Sequence, residues 1–119
     1  MAVATIWLFS YGTLRRRDVQ RTLFGRALHG EPDALVGFRR SVVTVTDVTT
    51  IAISGGTVHP VLHASGDPGD RIEGEALAMR AADLPIADNY EADAYRRVAV
   101  TLASGRAAFV YTGAMATLL

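Results

Sequence analysis

The stretch Ile6 to Leu14, IWLFSYGTL, constrains the fold of this 119-residue chain more than any other. Ile6 to Phe9 form an uninterrupted apolar run, which indicates a buried strand and is far too short for a membrane span. The run ends at Ser10-Tyr11-Gly12-Thr13, where we expect Gly12 to allow a tight turn. Asp18 is a candidate N-cap for a helix just beyond. The stretch therefore predicts a strand, a glycine-containing loop and a helix in succession.

A loop of this kind has a chemical use, because it can direct several backbone N–H groups outward beside a helix N-terminus. Such groups bind a carboxylate, a phosphate or a developing oxyanion. The simpler interpretation is that Tyr11-Gly12-Thr13 is only a turn. In the same way, Arg15 to Arg17 either steer an anion toward the loop or form a solvated entry to the helix. Spacing alone leaves both pairs of interpretations open.

Composition and charge narrow the possible functions. The length predicts a single domain over residues 1–119, with a core that needs no disulfide or metal. The chain has no cysteine, which excludes thiol redox chemistry and thiolate metal sites, and its three histidines lack the spacing of a metal site. Twelve arginines balance twelve acidic residues, so the overall charge offers no attraction to nucleic acid or to an anionic membrane.

The amino-terminal residues Met1 to Leu8 lack the features of a signal peptide. They contain neither a basic start nor a long apolar segment. We therefore expect a cytoplasmic protein.

The rest of the chain reads mostly as strand, with two short helices. The helices are predicted at Asp18–Gly25 and at Ala81–Ala92, the second with Asp83 as its cap and Pro85 in its first turn. Between them, His29 to Asp33 is rich in turn-forming residues. We expect strands in the following segments: Ala34–Val48, either as one bent strand or as two divided at Gly37; Ile51–Ile53; Val58–His63, at a sheet edge because of Pro60; Arg71–Met79; Tyr95–Leu102; and Ala107–Thr112, which follows a hairpin turn at Ser104-Gly105. This pattern favours an α+β fold built on a small closed or strongly curved sheet.

A second chemically informative stretch is Asp88 to Arg97, DNYEADAYRR. Glu91 falls near the end of the second helix, beside Tyr90. Both the negative end of a helix dipole and partial burial raise the pKa of a carboxyl group, which suits a proton-exchanging group at neutral pH. The alternative is a surface salt bridge from Glu91 to Arg96 or Arg97.

Together these segments resemble the gamma-glutamylcyclotransferase-like family, including its AIG2-like and gamma-glutamylamine cyclotransferase branches. The resemblance covers nearly the whole chain and rests on Phe9–Leu14, Gly37, His59–Leu62, Ile72–Leu77, Asp88–Arg97 and Val110-Tyr111. It implies a small mixed β-barrel with short peripheral helices. It also implies an enzyme that cleaves a γ-glutamyl amide through internal attack of the α-amine. The products are 5-oxoproline and a free amine or amino acid, and the family needs no metal or organic cofactor.

The resemblance also implies roles for particular residues. Glu91 matches the general acid/base of the family. The substrate-binding residues that it implies are Tyr11, Gly12, Thr13, Leu14, Tyr95 and Tyr111, the first four through backbone amides that hold the γ-glutamyl group. The expected partner is a small γ-glutamyl substrate, with no nucleic acid and no membrane, and the protein is expected to be a monomer or homodimer. The alternatives are a non-catalytic module that binds a small carboxylate, and a protein-interaction barrel with an exposed edge near Pro60.

Overall fold

The computed structural model describes residues 5–44, 58–91 and 95–113. Within these ranges the chain forms seven strands and two α-helices, in this order: β1 Ile6–Ser10, α1 Arg17–Phe24, β2 Gly30–Val36, β3 Phe38–Thr44, β4 Val58–Ala64, β5 Arg71–Met79, α2 Leu84–Glu91, β6 Tyr95–Thr101 and β7 Ala107–Gly113. Single 3-10 turns at Thr13–Arg15 and Ala81–Asp83 precede the two helices. The fold class is α+β, as predicted.

Five strands form one mixed sheet in the order β2-β5-β1-β7-β6, while β3 and β4 form a separate antiparallel hairpin. The central strand β1 runs antiparallel to β5, with Leu8 opposite Leu77, and parallel to β7, with Leu8 opposite Phe109. A strand with neighbours on both sides and cover on both faces needs a continuous apolar run, which Ile6 to Phe9 provide. Because β1 and β7 are parallel, their carboxyl ends lie at the same edge of the sheet.

The two faces of the sheet carry two apolar clusters. The helices cover one face, where Leu8 packs with Val19 of α1 and Tyr90 of α2. The β3-β4 hairpin covers the other face, where Leu62 packs with Phe9. Leu8 and Phe9 are 0% and 1% exposed, so successive residues of β1 enter opposite halves of the core. Burial of each such side chain contributes about 2 kcal/mol.

The predicted barrel is not confirmed. In the described residues the hydrogen-bond ladders leave β2 and β6 at the edges of an open sheet, and no ladder joins the hairpin to that sheet. The hairpin instead lies across one face, with β3 near β5 and β4 near β7. The side chains of the second apolar cluster therefore make this junction.

The segment around β2 and β3 differs from the predicted turn and shows which of the two strand alternatives is present. The turn predicted at His29 to Asp33 is wrong, because β2 begins at Gly30. Pro32 is tolerated there since β2 is an edge strand, paired only with β5 among the described residues. Gly37, at φ 83°, divides β2 from β3, so the two-strand alternative holds. The Ile51–Ile53 prediction and the end of the Ala34–Val48 segment lie outside the described residues.

Two of the three residues predicted at the helix ends have the expected role. Asp18 is not the N-cap of α1 as predicted: it lies in the first turn, paired with Arg16 at 2.5 Å. Its charge still favours the positive end of the helix. Gly25, at φ 73°, ends α1 as expected. Asp83 caps the turn before α2 through its Oδ2, which accepts the Arg80 N–H at 2.9 Å.

The remaining strand predictions are confirmed as β4, β5, β6 and β7, with Gly105 at φ 90° in the last hairpin turn. Across the described parts of the chain, none of the helices has the length and apolar character needed to span a membrane.

Candidate active site

One pocket lies at the sheet edge where β1 and β7 end. Its cavity is small, about 20 Å³. The lining residues are Phe9, Ser10, Tyr11, Gly12, Thr13, Leu14, Glu91, Tyr95 and Tyr111. Ligands of open sheets commonly bind outside the carboxyl ends of the strands. All seven site residues named from the sequence lie around this space, and the structure adds Phe9 and Ser10, which sequence reasoning had assigned only to a buried strand and its end.

The loop after β1 forms a 3-10 turn. Gly12 has φ −136° and ψ −143°, so a left-handed conformation is not the reason for a glycine here, contrary to the expected tight glycine turn. The first hydrogen bond of the turn runs from the Arg15 N–H to the Gly12 carbonyl at 3.2 Å. The N–H groups of Gly12, Thr13 and Leu14 precede that bond and, like the first donors of any helix, have no acceptor within the turn. All three residues line the pocket.

Buried Gln20 of α1 fixes the far end of this loop. Its Nε2 donates to the Leu14 carbonyl at 2.8 Å, and its Oε1 accepts the Leu28 N–H at 2.8 Å. Gln20 is 0% exposed, so without these partners its amide would be a costly unsatisfied group. The sequence did not predict this role, because a glutamine on an amphipathic helix is usually exposed to solvent.

A hydrogen bond joins the loop to the helix that carries Glu91. The Thr13 Oγ1 and the Tyr90 hydroxyl lie 2.6 Å apart, although the two residues are 77 positions apart in the sequence. Tyr90 is 3% exposed and packs in the core. The position of the loop relative to α2 is therefore set by a partly buried hydrogen bond.

Tyr11 and Tyr111 connect the ends of β1 and β7. The Tyr11 hydroxyl donates to the Tyr111 carbonyl at 2.6 Å, and the Tyr111 hydroxyl donates to Asp88 Oδ1 at 2.7 Å. Arg97 of β6 approaches the same Asp88 oxygen, with its Nε at 3.3 Å. Four elements that surround the pocket are thus tied together through Asp88 and the two tyrosines.

In the described residues, the alternative salt bridge from Glu91 to Arg96 or Arg97 does not form, and Arg97 pairs with Asp88. Among the described residues Glu91 forms no ion pair, and Asp88, three residues earlier on α2, takes the arginine instead. The sequence placed both acids in one stretch, but it did not show which of them would meet the arginine.

Glu91 ends α2 with a partly buried side chain that faces the pocket. Burial among the protein atoms around this carboxyl raises the pKa of Glu91 to about 8. Burial also raises the pKa of Tyr11, Tyr95 and Tyr111, and the charge of Glu91 raises it further. The three phenols therefore remain neutral hydrogen-bonding groups beside a carboxyl that exchanges its proton near neutral pH.

The pocket thus combines two chemical functions. A carboxyl with a pKa near 8 can accept and return a proton, while preorganised N–H donors stabilise an oxygen that becomes negative. Within the described ranges, no group of three or more histidine or acidic side chains is arranged to hold a metal ion. The geometry favours acid/base chemistry on a carbonyl compound.

Comparisons with solved structures agree on the fold. The solution structures of two Arabidopsis thaliana proteins match with TM-scores of 0.74 and 0.71 at 18% and 19% identity, over 98% of this chain and 67% and 73% of theirs. A structure of a gamma-glutamyl cyclotransferase matches with a TM-score of 0.70 at 14% identity, over 92% of this chain and 67% of that one. At these identities the likeness shows the fold alone.

The family is identified by comparison of the sequence. No curated protein sequence matches this chain. The family described as gamma-glutamyl cyclotransferase, AIG2-like, matches residues 8–117, a range that includes both the loop after β1 and Glu91. The chain therefore belongs to the gamma-glutamyl cyclotransferase, AIG2-like family.

Proposed function

We propose that this protein cleaves γ-glutamyl amides by attack of the substrate's own α-amine, with Glu91 as general acid/base. The observation that carries the proposal is that Glu91, whose pKa is raised, and the residues of the Gly12 loop line one pocket. Membership of the family supports an activity of the cyclotransferase type. The products are 5-oxoproline and a free amine or amino acid.

The reaction balances with one shuttled proton. The neutral α-amine attacks the γ-carbonyl carbon, a new C–N bond forms, and the Glu91 carboxylate takes the proton that this nitrogen loses. The tetrahedral intermediate then collapses, the original amide C–N bond breaks, and Glu91 returns the proton to the leaving nitrogen. The enzyme ends in its starting state.

The pKa of Glu91 suits both transfers. An α-amino group has an ordinary pKa of roughly 8, and burial raises the pKa of Glu91 to about 8. Two groups with matched pKa values exchange a proton at little cost in free energy, in either direction. A glutamate at its ordinary pKa of 4.5 would be a much weaker base toward the attacking nitrogen.

The loop and the tyrosines bind the substrate and stabilise the developing oxyanion. Ring closure is intramolecular, so the main task of the protein is to fold the substrate into a reactive shape. We assign the N–H groups of Gly12, Thr13 and Leu14 to the γ-glutamyl group and its developing oxyanion. Tyr11, Tyr95 and Tyr111 line the pocket as neutral walls and hydrogen-bonding groups. The working unit is a monomer or homodimer.

The test is product formation from a panel of γ-glutamyl amines and γ-glutamyl dipeptides, with 5-oxoproline and the released amine both measured. Substrates whose α-amine is acetylated serve as the chemical control, because they lack the internal nucleophile. We expect turnover of free-amine substrates only. Replacement of Glu91 by glutamine should lower kcat by about 100-fold or more.

Glu73→Gln is the matched control variant, since Glu73 is an exposed carboxylate on β5 paired with Arg71. It should keep full activity. Binding of γ-glutamyl compounds without any product would instead support the non-catalytic binding module, and turnover of acetylated substrates would exclude the internal attack.

A further inference from the structure

Ser10 lines the pocket but has no role in the chemistry proposed above. It is the last residue of β1, and side chains alternate between the two faces of a strand, so Ser10 projects to the same face as Leu8. The helices cover that face, and Leu8 packs there with Tyr90 of α2. Glu91 follows Tyr90 and also lines the pocket. The Ser10 side chain therefore lies on the side of the sheet that carries Glu91.

The Ser10 hydroxyl is buried but has no hydrogen-bond partner in the protein. Ser10 is 5% exposed, and across the described residues its Oγ bonds to no side chain or backbone group. Glu75, directly opposite on β5, instead lies near Arg17, with its Oε2 3.9 Å from the arginine Nη2. A buried hydroxyl without a partner is unfavourable, because it has given up hydrogen bonds to water and gained none from the protein. Such a group in a native pocket points to a ligand that completes its hydrogen bonds.

Other hydroxyl groups that line the pocket are already engaged with the protein. Those of Tyr11, Tyr111 and Thr13 each bond to another protein group. These bonds connect the walls of the pocket and contribute to the fold. The Ser10 hydroxyl makes no such connection in the described residues, so its removal should not destabilise the protein.

The proposed reaction has a use for one more acceptor on the Glu91 side. A neutral amine has two N–H groups and one lone pair, and the lone pair must point toward the carbon that it attacks. The Glu91 carboxylate accepts one N–H, the one whose proton it takes. The N–H groups of the Gly12 loop are donors and cannot accept the other. A serine hydroxyl offers two lone pairs and can do so.

We propose that the Ser10 hydroxyl accepts the second N–H of the substrate's α-amine and, together with Glu91, turns the lone pair of this nitrogen toward the γ-carbonyl carbon. This inference rests on the proposed function. Ser10 is thus a binding residue for the α-amino group, and it makes no contact with the carboxylate or the amide of the substrate.

The test compares two compounds that differ only in the α-amino group: γ-L-glutamyl-ethylamine and its glutaryl analogue, which carries hydrogen in place of the amine. Calorimetric binding of both is measured on the Glu91→Gln variant, with and without Ser10→Ala. We expect Ser10→Ala to weaken binding of the γ-glutamyl compound about tenfold, the effect of one lost hydrogen bond to a charged group. Binding of the glutaryl analogue should not change.

Ser65→Ala is the matched control variant. Ser65 lies in an exposed turn outside the pocket, where its Oγ accepts the Asp67 N–H at 3.2 Å. Its replacement should change binding of neither compound. In the protein that retains Glu91, Ser10→Ala should lower kcat/KM for 5-oxoproline formation about tenfold and leave the melting temperature unchanged or higher.

The outcomes separate this proposal from the catalytic one. Selective weakening of the γ-glutamyl compound, without any 5-oxoproline from the wild type, would overturn the catalysis and keep the Ser10 contact. Equal weakening of both compounds, or weakening of neither, would overturn the contact with the α-amine, whether or not product forms. A lower melting temperature in Ser10→Ala would assign the hydroxyl to the fold and would also overturn it.

Discussion

At the scale of single residues, Glu91 shows how burial of a carboxyl group affects the stability of a fold. An ionised carboxylate in a dry site is unfavourable unless a cation accompanies it. In the described residues, Arg97 lies near the pocket but pairs with Asp88 and not with Glu91. Glu91 therefore keeps its proton up to an unusually high pH. The same raised pKa that suits the proposed proton exchange should make the stability of the folded protein depend on pH.

This property makes a stability prediction with a defined sign. The pKa of Glu91 is about 8 in the folded protein against an ordinary value of 4.5. The folded state thus binds the Glu91 proton more tightly than the unfolded state does. The resulting contribution to the free energy of unfolding is fully present below pH 4.5 and is lost as the pH rises through 8. Glutamine cannot ionise, so Glu91→Gln should escape the loss.

Chemical denaturation of both proteins at pH 5 and pH 9 checks this. We expect similar stability at pH 5 and an advantage for Glu91→Gln of more than about 1 kcal/mol at pH 9, since one pKa unit corresponds to about 1.4 kcal/mol. A difference that does not change with pH would show that the carboxyl titrates normally.

At the scale of secondary-structure elements, the site depends on how α2 is held against β6 and β7. Asp88 accepts from the Tyr111 hydroxyl and pairs with Arg97, whose guanidinium also lies 4.9 Å from the centroid of the Phe109 ring. The contact orients Tyr111 and the last turn of α2 together. Asp88 is thus a positioning residue, because it acts on the pocket through Tyr111.

Asp88→Ala should therefore change activity more than stability. We expect kcat to fall about tenfold while the free energy of unfolding drops by about 1 kcal/mol, the usual value of such a hydrogen bond. Asp88→Asn keeps an acceptor for the Tyr111 hydroxyl and should recover most of kcat. Glu73→Gln, which breaks the exposed pair with Arg71, should change stability by less than about 0.5 kcal/mol. An unchanged kcat in Asp88→Ala would remove Asp88 from the positioning role.

Gly74 on β5 supports the strand that leads into the site. A Cβ at this position would lie 2.5 Å from the Ser10 carbonyl oxygen and 2.6 Å from Cζ of Phe9. The Phe9 ring fills the space that glycine leaves, so the close approach of β1 requires a residue without a side chain.

Gly74→Ala should destabilise the protein by about 2 kcal/mol, as overpacking of a filled core does. Gly37→Ala is the comparison, because its φ is 83° but a Cβ there would meet nothing within 4 Å. It should cost about 1 kcal/mol through backbone strain alone. Thermal unfolding of both variants measures the difference, and equal losses would contradict the packing argument.

Much of this element pattern was accessible from local sequence, and its failures have physical causes. An apolar run predicted β1 and alternation predicted β5 and β6, because each of these patterns reports a buried face. The hairpin turn at Ser104-Gly105 predicted β7. The start of β2 was missed because Pro32 is a turn former that an edge strand also accepts. The Gly12 loop and Glu91 were singled out from the residues themselves and were given roles by the resemblance, whereas Gln20 was not found. Its partners Leu14 and Leu28 are brought to it only by the tertiary fold.

At the scale of the whole molecule, two buried aspartates join distant parts of the chain. Asp33 on β2 accepts the Ser104 hydroxyl at 2.6 Å and Arg106 Nη1 at 3.2 Å, which ties the last hairpin to the first edge strand. Asp83 accepts Arg26 Nη2 at 2.6 Å and so ties α1 to α2. The contact with Arg26 lowers the pKa of Asp83, and the Ser104 contacts outweigh burial to lower the pKa of Asp33.

These two groups predict acid sensitivity. Their stabilisation is present above the ordinary carboxyl pKa of 3.8 and is lost as the pH falls through the lower values of the folded state. The melting temperature should therefore fall steeply below pH 4. Asp83→Asn should cost about 2 kcal/mol at pH 7, the value of a hydrogen bond to a charged group, and should flatten the acid decline. An acid decline as steep in Asp83→Asn as in the wild type would assign the sensitivity elsewhere.

The most direct test of the whole account is the ionisation of Glu91 itself. The protein has only four glutamates, so carboxyl-carbon NMR of glutamate-labelled protein can follow each of them across pH, with Glu91→Gln to assign the signal. We predict a midpoint at about 8 for Glu91. A midpoint near 4.5 would mean that the carboxyl is solvated and ionised at neutral pH, and would contradict its role as the proton-exchanging group of this pocket.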